Sequence, residues 1–358
     1  MRANSKKKIN KILVIAPTGI GENILQIPFL RKLKDIFPLA KVTLVIRFKG
    51  VIDLLTSLEL VDDFIICDYA KQNTIVKKIK LISGIRKDKY DISFLAFPTS
   101  RLDKILFSEM CGAGLKVGYY PQGLNRLLAL CNNINIKVDT QLHDVEQNLN
   151  ILKSFCDDIE HTDKKIKLYP TKLAAEKAEE LLKRNMIVDK DVLIGIHSGS
   201  SKLFNMSYKR WPLEKYMELT SRLIEKEKVK ILNFKTNEEP SLCMDEIKRN
   251  IINVETSLDV VLALLTRCKL FIGNDTALMH LAAASGIKVV GIFGPTNPKR
   301  TGPYSNDSYV IKSKIDCSPC FTYKRLGRGI TCPYRFRKCL ESITVSEVLD
   351  KIGVMLSS

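Results

Sequence analysis

Hydrophobic residues recur along the chain in two alternating rhythms. Short unbroken apolar runs, as in Lys11–Ala16, Lys41–Ile46, Asp63–Cys67 and Tyr90–Ala96, predict strands buried on both faces. Between them the spacing changes to that of a helix. Glu22–Phe37 places Ile24, Leu25, Ile27, Leu30, Leu33 and Ile36 on one broad face, with Pro28 expected to bend it. Thr74–Ile85 and His143–Phe155 repeat the helical spacing. The segment Lys165–Lys172, with Tyr169-Pro170-Thr171, reads as a connection, after which the rhythm restarts. Strands are expected at Val192–His197, Lys230–Phe234, Ile251–Val254, Leu270–Ile272 and Val289–Phe293. Helices are expected at Lys172–Asn185, Pro212–Glu227, Pro240–Asn250, Leu258–Thr266, Ala277–Ser285 and Thr344–Leu356. The last opens on the capping box Thr344-Val345-Ser346-Glu347. Strand and helix in alternation predict an α/β chain of two doubly wound parallel sheets. The expected division is residues 1–168, residues 169–343, and a terminal helix over 344–358.

Composition narrows the class. A chain of 358 residues, 45% hydrophobic, can bury two cores, which argues against disorder. The apolar runs are strand-length, well short of the ~20 residues that span a bilayer. Lys6-Lys7-Lys8 before Ile12–Ala16 imitates a signal peptide, but Pro17, Gly19 and Gly21 break the run and no cleavage site follows. The expectation is a cytoplasmic protein with reduced thiols. A net charge of +18 suits nucleic acid, an anionic membrane surface or a phosphorylated substrate, and suits equally a surface that uses Lys by default. Only 7% of residues are aromatic and no concentrated basic helix stands out, so no nucleic-acid partner is expected.

The richest segment is Leu270-Phe271-Ile272-Gly273-Asn274-Asp275-Thr276-Ala277-Leu278-Met279-His280-Leu281, followed by Gly294-Pro295-Thr296. It reads as strand, cap, helix, strand and turn. Asn274 and Asp275 are good caps, and the N–H groups of Thr276, Ala277 and Leu278 would then suit a phosphate. His280 lies one turn from Thr276 on the same side. The first strand runs into Pro17-Thr18-Gly19-Ile20-Gly21-Glu22-Asn23. Its glycines permit a tight turn, but a dinucleotide fingerprint needs a third glycine that Asn23-Ile24-Leu25 lacks. Glu22 suits either a general base or an acid complementing the helix dipole.

His197-Ser198-Gly199-Ser200-Ser201 and Tyr208-Lys209-Arg210-Trp211-Pro212 bring hydroxyls, a glycine turn and two cations to one strand end, a set that suits a diphosphate. Solvated surface charge is the competing explanation for the cations, and is stronger for Arg210. Trp211, the lone Trp, is expected to pack the loop on its domain. Asn237-Glu238-Glu239-Pro240 places a carboxylate where a ribose could be held, with helix-terminal charge as the alternative. Asp189-Lys190-Asp191 precedes a strand and reads as a surface turn, not a metal site. No G-x-S-x-G elbow or P-loop lysine is present.

Cys317, Cys320, Cys332 and Cys339 include one C-x-x-C pair within the segment 317–339, flanked by Pro319, Gly327 and Pro333. They suit a structural Zn or Fe clip or a reduced knuckle without metal. Cys67, Cys111, Cys131, Cys156, Cys243 and Cys268 are scattered and read as structural.

H-S-G-S with K-R-W-P, and N-D-T-A-L-M-H-L-A-A-A with F-G-P-T-N-P, resemble glycosyltransferase family 9, the heptosyltransferases. The similarity extends over Lys11–Leu33, His143–Leu152, Ile194–Pro212, Leu270–Tyr304 and the Cys317–Ile343 tail. The resemblance implies a GT-B fold, with two Rossmann-like domains facing a central cleft. It implies an N-terminal acceptor domain and a C-terminal donor domain. The expected reaction is inverting transfer of heptose from ADP-L-glycero-β-D-manno-heptose to a lipopolysaccharide inner-core acceptor, without a catalytic metal or other cofactor. Glu22 falls where the family places an Asp base, and Lys209 where it places the diphosphate lysine. Ser200, Ser201, Arg210, Asp275, Thr276, Ala277, Leu278 and His280 fall in the donor site, with Ala277 where glycine is frequent. Glu238 or Glu239 would hold the ribose, while Gly19, Gly21, Asn23 and Arg101 are assigned to the acceptor. A phosphorylated glycolipid acceptor implies peripheral attachment at the cytoplasmic face of the inner membrane. The alternatives are a nucleotide-sugar transferase acting on another glycan or a protein, and a nucleotide-sugar or nucleic-acid binding protein without catalysis.

Overall fold

The computed structural model describes residues 8–67, 75–98, 102–120, 130–201, 203–227, 229–242, 245–321, 330–332, 334 and 337–357. Arg101, Cys243, Gly327 and Pro333 lie outside them. The chain divides into two compact units, Met1–Lys165 and Ile166–Ser358.

In the first unit the order is β1 (Lys11–Ile15), α1 (Ile20–Leu25), α2 (Ile27–Ile36), β2 (Lys41–Ile46), α3 (Gly50–Leu55), β3 (Asp63–Ile66), α4 (Ile75–Lys87), β4 (Ile92–Leu95), α5 (Leu102–Cys111), β5 (Leu115–Tyr119), β6 (Ile134–Ile136) and α6 (Asp144–Asn150). The strands form one parallel sheet in the order β3-β2-β1-β4-β5-β6. Central β1 is apolar and buried from Ile12 to Ile15, as a strand covered on both faces must be. The helix expected over Glu22–Phe37 is two helices. Gln26 ends α1 and caps α2, and Pro28 sits in the first turn of α2, where its missing N–H costs nothing.

The second unit contains α7 (Lys172–Arg184), β7 (Leu193–His197), α8 (Leu213–Glu227), β8 (Lys230–Phe234), β9 (Ile251–Val254), α9 (Leu258–Thr266), β10 (Leu270–Asn274), α10 (Ala277–Ser285), β11 (Lys288–Phe293), α11 (Pro298–Thr301), β12 (Ser308–Lys312), α12 (Lys338–Glu341) and α13 (Val345–Ser357). Its parallel sheet runs β12-β11-β10-β7-β8-β9, the same winding as in the first unit. Chain order therefore reverses between β1 and β4 in one unit and between β7 and β10 in the other. In doubly wound sheets the carboxyl ends at that reversal are where ligands bind. Thr171 caps α7 through Ala174 N (3.2 Å), and Thr344 accepts from Glu347 N (3.2 Å) at the start of α13. α13 belongs to the second core, where Val345, Val348 and Ile352 pack with Trp211, Tyr216 and Leu340. The helix expected over Pro240–Asn250 is a 3-10 turn at Asp245–Asn250 among the described residues. Asp189 and Asp191 pair with Arg267 (3.0 Å) and Lys230 (2.9 Å), which makes their turn a surface ion-pair cluster.

Candidate functional site

The site of the second unit sits on the carboxyl ends of β7 and β10. Asn274, the last residue of β10, was expected to cap a helix but does other work. Its Oδ1 accepts from Trp211 N (2.9 Å) and Tyr216 Oη (3.0 Å), and its Nδ2 donates to the carbonyls of Ser198 (3.0 Å) and Gly199 (3.1 Å). Burial holds the Tyr216 phenol well above its ordinary pKa, so it stays a donor. One fully buried amide thus fastens the turn after β7 to the loop before α8. Trp211 packs edge-on against Tyr216 at 5.0 Å and donates Nε1–H to Ile343 O (3.2 Å).

The cap of α10 is Thr276, in extended backbone and with no side-chain capping bond. The first N–H groups of this nine-residue helix therefore carry no side-chain acceptor from the cap, which favours an anion there. The Thr276 hydroxyl is buried without a hydrogen-bond partner. Beside it, Lys209 Nζ contacts Asp275 Oδ2 (2.9 Å) and the Asp275 carbonyl (3.3 Å). Burial alone would raise the Asp275 pKa, but Lys209 and His280 outweigh it and hold the carboxyl below its ordinary value. The Lys209 side chain is 18% exposed against 5% for Asp275, so the cation is the member of the pair that can meet a ligand.

Arg210 turns the other way. Its guanidinium donates to Ser200 Oγ (3.1 Å) and to the Ser200 carbonyl, and stands 3.7 Å from Glu239 Oε1. Glu239 is buried, accepts from Thr236 N (3.0 Å), and lies against Gly199, where a Cβ would come within 1.7 Å of Oε1. Glu238 and Ser201 are exposed. His197 is buried and donates Nδ1–H to Phe234 O (2.8 Å). Burial depresses its pKa, with Arg210 adding to the effect and Glu239 opposing it. The structure therefore brings Ser200, Lys209, Arg210, Glu239, Asp275, Thr276 and His280 to one sheet edge, with Ala277 and Leu278 half-buried on the first turn of α10.

In the first unit the turn after β1 is shaped by Asn23. Its buried amide donates to Gly19 O (2.8 Å), with Thr18 Oγ1 at 3.3 Å. Asn23, assigned to the acceptor by the resemblance, is 1% exposed, and its side chain holds the turn. Gly21 is also buried. Glu22 is half-buried in the first turn of α1, and its carboxylate lies over Gly19, where a Cβ would come within 2.3 Å of Oε2. Each unit thus follows its central strand with a glycine whose missing side chain admits a carboxylate. Asn148 clamps Phe97 at the end of β4 through its N–H (2.9 Å) and carbonyl (3.3 Å). Sequence reasoning missed Asn148 and the Asn274 latch, although the His143–Leu152 and N-D-T-A segments had both been singled out.

The late cysteines line one cavity of about 20 Å³, with Tyr208, Pro295 and Arg337. None of the four is in a disulfide, and burial with the neighbouring Cys320, Cys317 and Cys332 pushes the Cys339 thiol up to about 11. The expected ligand set is only partly realised: among the described residues no three His, Cys, Asp or Glu side chains form a group that could hold a metal ion. The segment is tied to the turn after β11 and to the loop before α8. Ser318 Oγ donates to Gly294 O (2.6 Å), Phe321 N to Pro295 O (2.8 Å), and Arg337 Nη1 to Arg210 O (3.2 Å).

Residues 79–329 match the family described as glycosyltransferase family 9 (heptosyltransferase). The chain belongs to this family. As a family 9 member it is a glycosyltransferase. Lipooligosaccharide heptosyltransferase 2 of Campylobacter jejuni is 26% identical over 364 residues, 97% of this chain and 99% of that protein. The structure of Escherichia coli ADP-heptose lps heptosyltransferase II shares the fold, with a TM-score of 0.72 at 22% identity over 97% of this chain and 98% of that one. The iron-containing dodecameric glycosyltransferase TibC from enterotoxigenic E. coli shares it at a TM-score of 0.60 and 15% identity, over 98% of this chain and 77% of that one.

Proposed function

We propose that this family 9 enzyme transfers heptose from ADP-L-glycero-β-D-manno-heptose to a lipopolysaccharide inner-core acceptor. The observation that carries the reading is the Lys209–Asp275 pair beside the cap of α10, on a chain that aligns end to end with a lipooligosaccharide heptosyltransferase. Lys209 and the N–H groups at the start of α10 receive the donor diphosphate, while Arg210 and Glu239 shape the turn around Ser200. The acceptor hydroxyl oxygen attacks the anomeric carbon as its proton passes to Glu22. The bond from that carbon to the phosphate oxygen breaks on the opposite face, so configuration inverts. The negative charge gathering on departing ADP is met by Lys209 and the helix terminus, positioned before reaction begins. With the charge compensated in this way, the step needs no metal.

The test is ADP release from ADP-heptose by the purified protein in EDTA, with and without heptose-deficient lipopolysaccharide. Acceptor-dependent release is expected. Release only with another donor, or only with a protein acceptor, would replace the reading by that of a related nucleotide-sugar transferase. Glu22→Gln is expected to lower turnover about 10²–10⁴-fold while donor binding is unchanged. Unaltered turnover would remove Glu22 from the mechanism.

Cys317, Cys320, Cys332 and Cys339 have the donor chemistry for a structural Zn or Fe, and TibC, which shares the fold, is iron-containing. A bound cation would stabilise their thiolates against the burial that keeps Cys339 protonated. It would tie Cys317 and Cys320 to Cys332 and Cys339 and take no part in transfer. Metal analysis separates the clip from the reduced knuckle: about one equivalent per chain, lost in Cys332→Ser with a lowered Tm, would mean that the thiols close up around a cation from an arrangement that forms no metal-holding group among the described residues. A metal-free protein would leave the cluster a reduced knuckle.

A further inference from the structure

The helix α4 leaves part of its apolar surface outside the core. Leu81, Ile82 and Ile85 pack on the first core beside Ile105, Phe107 and Cys111 of α5. Val76 is 73% exposed and Ile79 is 56% exposed, one turn apart. Leu106 and Met110 of neighbouring α5, also one turn apart, are 42% and 46% exposed; α5 itself carries Asp103 and Glu109, the latter paired with Lys116, so the positive charge of the face comes from α4. Around the apolar residues α4 carries Lys77, Lys78, Lys80, Arg86 and Lys87 and no acid. Exposed apolar side chains on a helix whose charges are all positive suit an anionic bilayer, which takes the apolar groups into its interface and pairs the lysines with its headgroups. A protein partner would have to supply acids and an apolar pocket together, whereas a membrane offers both over its whole surface.

Position supports the same occupant. The strands of the sheet are parallel, so their carboxyl ends share one edge, which holds the Ala16–Gly19 turn and Glu22. α4 follows β3, so its first turns, with Val76 and Ile79, begin at that edge. Ile66, which ends β3, is 44% exposed there.

We propose that the α4–α5 face of the first unit, centred on Val76, Ile79, Lys77, Lys78 and Lys80, docks on an anionic lipid bilayer. This brings the reactive edge of that unit to the depth at which a lipid-anchored acceptor displays its sugar. The proposal rests on the glycolipid reading for its purpose, but its binding test uses neither donor nor acceptor.

The experiment is co-sedimentation of the full chain with phosphatidylcholine vesicles, with and without phosphatidylglycerol. Binding is expected only when the anionic lipid is present, and salt should weaken it. Lys77→Gln/Lys78→Gln/Lys80→Gln should lower partition about a hundredfold. Val76→Ser/Ile79→Ser should lower it about tenfold. Because these side chains are exposed, both variants should keep the wild-type Tm and wild-type transfer to a delipidated, water-soluble acceptor. Transfer to the same acceptor embedded in anionic vesicles should fall in step with partition. No binding by the wild type, equal binding to neutral vesicles, or wild-type partition by both variants would overturn the proposal. Vesicle binding without any heptose transfer would instead overturn the functional reading and leave the docking face standing.

Discussion

Lys209→Met is expected to reduce turnover about 10²–10³-fold, the usual cost of removing one preorganised donor from developing oxyanion charge. The same substitution should destabilise the protein, because it leaves Asp275 buried without its cation. Breaking a buried pair from one side costs about 3 kcal/mol, or roughly 6–12 °C in Tm for a unit of this size. The two losses separate in the double variant Lys209→Met/Asp275→Asn, which should regain most of the stability and none of the activity. The pH dependence has a definite sign. In the wild type the Asp275 pKa lies below its ordinary value of 3.8, so the pair stabilises the fold above that pH and the benefit is lost as pH falls through the folded-state pKa. Without Lys209 the burial effect, which raises the pKa, loses its main opponent. The stability gap between variant and wild type should therefore be widest near neutral pH and close on acidification. Near-normal turnover by the single variant would show that Lys209 is only a partner for Asp275.

Asn274→Ala should be the most damaging single change to the architecture of the site. It removes the partners of the Trp211 N–H, the Tyr216 hydroxyl and the Ser198 and Gly199 carbonyls together, all around a fully buried side chain. Each orphaned group costs about 1–3 kcal/mol, and partial relaxation leaves an expected loss of about 3–5 kcal/mol. Donor KM should rise as the Ser198–Ser200 turn and the Lys209–Arg210 segment lose their common anchor. Asn274→Asp keeps the shape but turns a carboxylate oxygen toward two carbonyls. It should unfold at or below the Tm of the Ala variant. A well-tolerated Asp would mean the amide is not donating to Ser198 and Gly199.

These two positions show how far the residues could be read without the fold. Lys209 was one of two adjacent cations for which solvated surface charge competed with a diphosphate role, and the family 9 resemblance singled it out. Its partner Asp275 was legible as a cap and, through the resemblance, as a donor-site residue, but the pairing was not, since sequence spacing says nothing about a residue 66 positions away. Asn274 looked like a cap for the same reason. Once Thr276 takes the cap, the Asn side chain is free to turn inward and serve four groups from two loops. Glu238 and Glu239 are neighbours in a polar turn, and burial against Gly199 is what distinguishes them. Asn23 was assigned to the acceptor by the resemblance, and the fold adds that its amide closes the turn on Gly19. The late cysteines announced themselves by the C-x-x-C spacing, and only folding gathered Cys332 and Cys339 onto the same cavity.

The chain by itself determined the alternation of strand and helix, the parallel class and the restart of the rhythm in a second unit. These follow from local periodicity, burial on both strand faces and capping chemistry, all of which act within a few residues. It also determined which segments end strands with glycine, hydroxyl and charge. Tertiary structure decided the winding order that places the β7 and β10 ends side by side, the pairing of Lys209 with Asp275, and the inward turn of Asn274. Those are contacts across tens of residues, and their free energy exists only once the sheet has brought the loops within hydrogen-bond reach.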